Sequence, residues 1–280
     1  MIKTDVYISK LKNLASNDFE KKLIAASIKI LDQKNNPLKI NNFAASIREL
    51  FRHILTSLAP DYEVTKCDWF KWEETENGKK TITRKQRIKY AIQKNLPDIY
   101  IHKNISDLDD SIKRITNIYK SLNKYTHIEE DSFELSEKDE EEFASKILNI
   151  FCEFCDVIKD AIDIFNRDLE NLIESTVSSE FFMENIDNVD CLSTHSRPDD
   201  ISVGTIEIVD KNFDNISVKV NGTVCVSLQY GSDGDCERGD GCETNACFPF
   251  ESEVEIKIDD NFPDSSEILS FNVNTNSFYE

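Results

Sequence analysis

Residues 41–60 read NNFAASIRELFRHILTSLAP, and this stretch decides how the N-terminal half is built. Phe43, Ala44, Ile47, Leu50, Phe51, Ile54, Leu55 and Leu58 recur at i, i+3/i+4 and i+7, the spacing of one buried helical face. Asn41 or Asn42 suits the start of the helix as a cap, and Pro60 stops it. Arg48, Glu49, Arg52 and His53 take up the polar remainder. At about 100° per residue, Arg48 and His53 stand roughly 140° apart around the axis, so they share a face only if the helix is distorted. Glu49 and His53, at i and i+4, do share one and suit an ordinary structural pair.

Outward from this helix the pattern stays helical for most of the chain. Two segments fit between Thr4 and about Leu31, the second, DFEKKLIAASIKIL, capped by Asn17 or Asp18. Beyond Pro60, Trp69, Phe70 and Trp72 precede an Asn-Gly turn. A basic segment follows, with Lys79, Lys80, Arg84, Lys85, Arg87, Lys89 and Lys94. Cations beside aromatic rings suit phosphate contact with base stacking, and they equally suit a small packed core. From Ile105 to Tyr125, Leu108, Ile112, Ile115, Tyr119 and Leu122 mark another amphipathic helix, opened by Ser106 and Asp107. An acidic connection, EEDSFELSEKDEEE from residue 129, leads through the cap Ser136 into Glu137 to about Val177, a run free of Gly and Pro that reads as one long helix or two. Cys152 and Cys155 within it spell CxxC on an apolar helix face.

The periodicity changes near residue 190. Six of the seven glycines lie at or after Gly204, and ISVGTIEIV, ISVKVNG, TVCVSLQY, VEIKI and ILSFNV alternate with the period of a half-buried strand. These readings predict an α+β protein, with an all-α helical bundle over 1–188, a linker over 189–198 around CLSTHSRPDD, and a small antiparallel β-sheet or barrel-like domain over 199–280.

Charge divides the chain more sharply than composition does. Residues 1–128 hold 24 Lys and Arg against 15 Asp and Glu, a balance of +9, and residues 129–280 hold 9 against 38, a balance of −29. The first half suits a phosphate backbone, whereas the second repels it unless it holds metal or meets a basic surface. No apolar run reaches the ~18 residues of a membrane span, and the N-terminus lacks a signal-peptide core, so a cytoplasmic protein with reduced cysteines is expected.

Several constellations carry chemistry. Lys120, Asn123 and His127, at i, i+3 and i+7, return to one face if the helix reaches that far; a histidine beside a cation suits metal-independent RNA cleavage, and the same stripe suits a solvated face ending in a dipole-favoured histidine. The loop GSDGDCERGDGCE gathers Asp233, Asp235, Glu237, Asp240 and Glu243, carboxylates suited to Mg²⁺ or Ca²⁺, although their order is not that of an EF-hand. Cys225, Cys236, Cys242 and Cys247 invite zinc without forming a CxxC knuckle. Glu255 and Lys257 downstream of Asp240 spell the D…ExK of restriction-type nucleases, a triplet that strand alternation also produces.

Three pieces of the chain resemble the predicted nucleases associated with prokaryotic PIWI proteins of antiphage and mobile-element conflict systems. They are NPLKINNFAASIRELFRHILTSLAPD (36–61) with DWFKW and TRKQRIKYAIQ, then LNKYTHIEEDSF (122–133), and VSLQYGSDGDCERGDGCETNACFPF (226–250). The helical half is also similar, more weakly, to HEPN-type ribonuclease domains, whose motif is an arginine, four to six residues and a histidine. His127 fits that histidine, but Lys120 stands where the arginine belongs and lacks its bidentate fork, while Arg48 with His53 matches the letters. The resemblance implies a bacterial immunity role, possible nuclease activity with RNA favoured, and a PIWI- or Argonaute-like partner encoded alongside; an oligomer is compatible with it. The rival expectation is a non-catalytic accessory protein whose acidic β domain binds a basic partner.

Overall fold

In a computed structural model of the chain, residues 4–33, 36–74, 77–128, 130, 133, 135–183 and 186–279 are described. Residues 129, 131, 132 and 134 of the acidic connection lie outside them. Two compact units emerge, Met1–Ile164 and Phe165–Glu280. The division falls inside a helix, upstream of the break that composition marks near residue 188.

The first unit is helical. Helices α1 (Thr4–Leu14) and α2 (Asp18–Ile30) meet at a sharp turn, where the Asn17 side chain accepts from the Glu20 amide. Glu20 is buried, its carboxylate accepting from the Ser16 amide and the Ser57 hydroxyl. Helix α3 (Lys39–Leu58) contains the decisive stretch, and it packs against α2 and against α7 (Leu108–Thr126). Neither Asn41 nor Asn42 caps it. The helix begins earlier, and Asn41 is buried inside its first turn, with Nδ2 donating to the Tyr125 carbonyl. A polar residue so enclosed needs a fixed acceptor, and the end of α7 supplies one.

Short α4 (Asp61–Val64), a small hairpin of β1 (Glu73–Glu74) and β2 (Lys80–Thr81), α5 (Arg84–Gln93) and α6 (Asp98–Asn104) lie between α3 and α7 in sequence. Thr83 and Gln86 form a reciprocal capping box that starts α5. Asp107, ahead of α7, is left-handed at φ 60° and its side chain makes no cap, so the expected Ser106/Asp107 cap does not form. The core centres on Phe51, whose ring meets those of Tyr119, Phe151 and Phe154 at 5.8, 4.7 and 5.7 Å.

Phe151 and Phe154 belong to α8 (Glu137–Met183), one continuous helix of 47 residues. Its CxxC pair is structural: Cys152 and Cys155 are buried, and desolvation pushes the Cys155 thiol up to about 12, where no thiolate forms at neutral pH.

The second unit takes the end of α8, short α9 (Asp187–Asp190) and an open antiparallel sheet in the order β3-β4-β5-β6. The strands are β3 (His195–Lys211), β4 (Asn215–Tyr230), β5 (Cys242–Lys257) and β6 (Ser266–Val273), and no barrel closes. The two segments read separately as ISVKVNG and TVCVSLQY are one strand, β4, and β3 starts inside the expected linker. Alternation sends Ile216, Val218, Val220, Val224, Val226 and Leu228 of β4 inward with Phe248, Phe250, Val254 and Ile256 of β5. The α8 residues Phe165 and Phe181 stack near Phe262 and Phe271, at 6.0 and 6.5 Å.

Two cysteines overturn the reduced-thiol expectation. Cys225 of β4 and Cys247 of β5 are directly paired across the ladder and joined by a disulfide, on the sheet face opposite the apolar one. No helix among the described residues is long and apolar enough to cross a membrane.

Truncating Phe51 to Ala removes the ring at the centre of the aromatic cluster. The expected cost is about 3–5 kcal/mol of unfolding free energy, read by denaturant titration. Replacing Cys225 and Cys247 together by Ser opens a loop with a sequence separation of 22. The second unit then loses about 3 kcal/mol, and wild-type protein in reducing agent matches the variant.

Candidate nucleic-acid interface

Helix α7 places its apolar residues Ile112, Ile115, Ile118, Tyr119 and Leu122 in the core. The residues between them, Lys113, Thr116, Asn117 and Lys120, repeat at i, i+3, i+4 and i+7 and therefore share the opposite face. Lys85 from α5 joins them, and together with Asp109 and Asp110 from the first turn of α7 they line a groove of about 550 Å³. Among the described residues Lys85, Lys113 and Lys120 make no ion pair, so three ammonium groups and the Asn117 amide are available to one ligand, while the Thr116 hydroxyl donates to the Ile112 carbonyl at 2.7 Å. Such a set suits a phosphodiester, which needs several hydrogen-bond donors and positive charge at once.

The cations of the basic segment divide by what they touch. Arg87 donates to the Ala59 carbonyl and to Asp61, both at 2.6 Å. Lys89 pairs with Asp98 at 2.7 Å and lies over the Trp69 ring at 4.5 Å. Arg84 stacks on Tyr119, its guanidinium 3.8 Å from the ring centroid. These three hold α5 to its neighbours, whereas Lys85, one residue on from Arg84, points into the groove. Lys79 and Lys80 are exposed at the hairpin, and Lys80 is cross-strand from Glu74.

Arg48 and His53 face different helices, as their angular offset requires. The Arg48 Nη1 donates to Thr126 Oγ1 at 3.2 Å, at the end of α7. His53 meets Phe19 of α2 edge-on, with centroids 5.1 Å apart, and Arg52 lies at 2.9 Å from its Nε2. Glu49 pairs with Arg52 rather than with His53. His127 is the C-cap of α7 with extended backbone, so the helix stops one residue short of it and the face shared with Lys120 and Asn123 is broken there. Arg48 thus reaches the residue preceding His127, while Lys120 belongs to the groove.

One histidine that spacing did not single out lies beside that groove. His102, in the last turn of α6, has Nδ1 2.7 Å from the Asp98 carbonyl and Nε2 3.3 Å from Asp109 Oδ2. A carbonyl only accepts, so Nδ1 carries a proton. That backbone bond above all, with the Asp109 carboxylate, holds the imidazole above its usual pKa against the desolvation that lowers it. The pairing joins residues seven apart on two different helices across a turn, which periodicity within a single helix does not reveal. The stripe of Lys113, Thr116, Asn117 and Lys120, by contrast, was readable as the complement of the apolar face.

In the second unit the acidic loop folds into α10 (Asp233–Arg238). Asp235 serves the capping box of this helix with Ser232 and pairs with Arg238 at 2.5 Å. Asp233 accepts from Gln229, Asp240 lies 3.8 Å from Arg238, Glu243 accepts from Ser227, and Glu237 is exposed. No group of three or more His, Cys, Asp or Glu among the described residues is arranged to hold an ion. Cys225 and Cys247 are spent in their disulfide, which removes them from a zinc set. Asp240 precedes β5 while Glu255 and Lys257 close it, so at ~3.3 Å per residue the D…ExK letters are spread over roughly 40 Å and form no site.

Comparison with known proteins returned two matches to family models, both described as predicted pPIWI-associating nuclease, over residues 12–151 and 158–279. The first coincides with the helical unit and the second with the sheet unit, the interval between them falling within α8. No curated protein and no solved structure matched. With both models accounted for along nearly its whole length, the chain belongs to the predicted pPIWI-associating nucleases.

Proposed function

We propose that this protein is a nucleic-acid-targeting effector of a bacterial antiphage defence system, working in the cytoplasm with a PIWI- or Argonaute-like partner and cleaving RNA without metal. The observation that carries this reading is the groove between α5 and α7, where Lys85, Lys113 and Lys120 make no ion pair among the described residues and outnumber the two carboxylates, Asp109 and Asp110, at its α7 N-terminal end. Burying a phosphodiester there releases counterions and meets donors already in place. Arg48, held beside Thr126, supplies a further cation near His127 at the other end of α7.

A second reading draws on the solvent face of the sheet. Glu251, Glu253 and Glu255 alternate along β5 on the side away from the apolar core, in the half of the chain that carries the balance of −29. Such a row suits a basic protein surface and repels nucleic acid. In this reading the sheet unit recruits the partner, and the helical unit binds without cutting.

Labelled RNA and DNA incubated with purified full-length protein, in Mg²⁺ and in EDTA, separate the readings. Cleavage of RNA that persists in EDTA supports the first; cleavage that requires Mg²⁺ moves the site toward Asp233, Asp235, Glu237 and Asp240; no cleavage by the protein or its native complex removes the enzyme. Binding has its own quantitative signature. Exchanging Lys85, Lys113 and Lys120 for Gln removes three phosphate contacts. For a single strand the slope of log affinity against log salt flattens by about 2, measured by fluorescence anisotropy across a salt series.

A further inference from the structure

His102 and Asp109 form the one histidine–carboxylate pair among the described residues that borders the lysine groove, since Asp109 both contacts His102 and lines the groove with Lys85, Lys113 and Lys120. The geometry points to this pair as the proton-transfer element of a ribonuclease site, with Asp109 as the general base and His102 as the general acid on one phosphodiester held by the three lysines. The inference rests on the groove as the nucleic-acid site, and it names the residues that carry the chemistry there.

Three features fit the two residues to these roles. The Asp98 carbonyl fixes the imidazole through Nδ1, so rotation about the ring axis is restrained and Nε2 is aimed toward Asp109. Asp98 itself is engaged by Lys89 and by Gln93, which anchors that carbonyl on a buried framework. Both members of the pair are exposed enough for a ligand to reach, with side-chain exposures of 49% and 75%. Lys113 follows Asp109 by one helical turn on the same face of α7, so a phosphate lying along that face meets a carboxylate at one end and ammonium groups beyond it.

The step balances within the pair. Asp109 takes the proton of the ribose 2′-hydroxyl, O2′ forms its bond to phosphorus, the P–O5′ bond breaks, and the His102 imidazolium gives its Nε2 proton to the departing O5′. The lysines offset the charge of the pentavalent phosphorane. Asp109 is then a carboxylic acid facing a neutral imidazole at the same 3.3 Å contact, and its proton passes to Nε2, which restores the carboxylate and the imidazolium. The products are a 2′,3′-cyclic phosphate and a 5′-hydroxyl, and neither metal nor external acid is consumed.

The test uses full-length protein in EDTA with a short fluorescent RNA, and two variants, H102A and D109N. Wild-type protein is expected to leave a 2′,3′-cyclic phosphate and to be blocked by a single 2′-deoxy substitution at the cut. Each variant is expected to cut about 10²–10⁴-fold more slowly at an unchanged melting temperature while RNA still binds, D109N no more weakly than wild type because a negative charge leaves the groove. An RNA whose bridging 5′-oxygen is sulfur has a leaving group that needs no proton, so it restores cleavage by H102A and leaves D109N slow. Wild-type rates in H102A, products ending in 5′-phosphate, or no rescue by sulfur overturn the inference. RNA bound in the groove but left uncut also overturns it while the binding site stands, whereas loss of all lysine-dependent binding removes the groove itself.

Discussion

The ring of Tyr119 joins the interior of the helical unit to its surface. One side meets Phe51, which touches Phe151 and Phe154, and the Arg84 guanidinium lies 3.8 Å from the ring centroid. An aromatic ring has an electron-rich face, so the same side chain that fills the core also accepts a cation at its border. Because α7 is clamped to α3 through this cluster and through Asn41 and the Tyr125 carbonyl, the polar face of α7 is turned outward toward Lys85. The groove is a consequence of which face of α7 the core consumes.

The same packing explains why the basic segment is less free than its charge implies. Arginine and lysine have long stems, and neighbouring carbonyls, carboxylates and rings claim their ends wherever α5 touches another element. Arg87 on Ala59 and Asp61, Lys89 on Asp98 and Trp69, and Arg84 on Tyr119 tie α5 down. In the groove, Lys85 meets two lysines from another helix, and so its ligand-facing cations come from two separate pieces of chain.

In the sheet unit, alternation does most of the work. A one-residue slip of β4 against β5 turns six buried aliphatic side chains outward, and Cys225 opposite Cys247 ties that register on the solvent face. The glycine-rich acidic loop looks like a cation cradle because its carboxylates are close in sequence. Folded, Asp233, Asp235, Asp240 and Glu243 are engaged by the α10 cap, Arg238, Gln229 and Ser227, while Glu237 stays exposed. A short helix with unsatisfied amides takes the nearest acceptors first.

Taken alone, the sequence determined the parts governed by local periodicity. The apolar stripe of α3, the Asn17 cap, the Ser136 start of α8, whose Oγ accepts from the Asp139 amide, and the alternation of β4 and β5 are readable because helix and strand repeat every 3.6 and 2 residues. The switch from a helical to an antiparallel β region near residue 190 follows from the same rule. What only the tertiary structure decided is which polar residues meet: Arg48 with Thr126, Asn41 with Tyr125, Lys85 with Lys113 and Lys120, and His102 with Asp109. It also decided that α8 serves both compact units and that two cysteines pair. These contacts join separate elements, and their partners are set by how buried faces dock, a constraint that no spacing within one helix or strand contains.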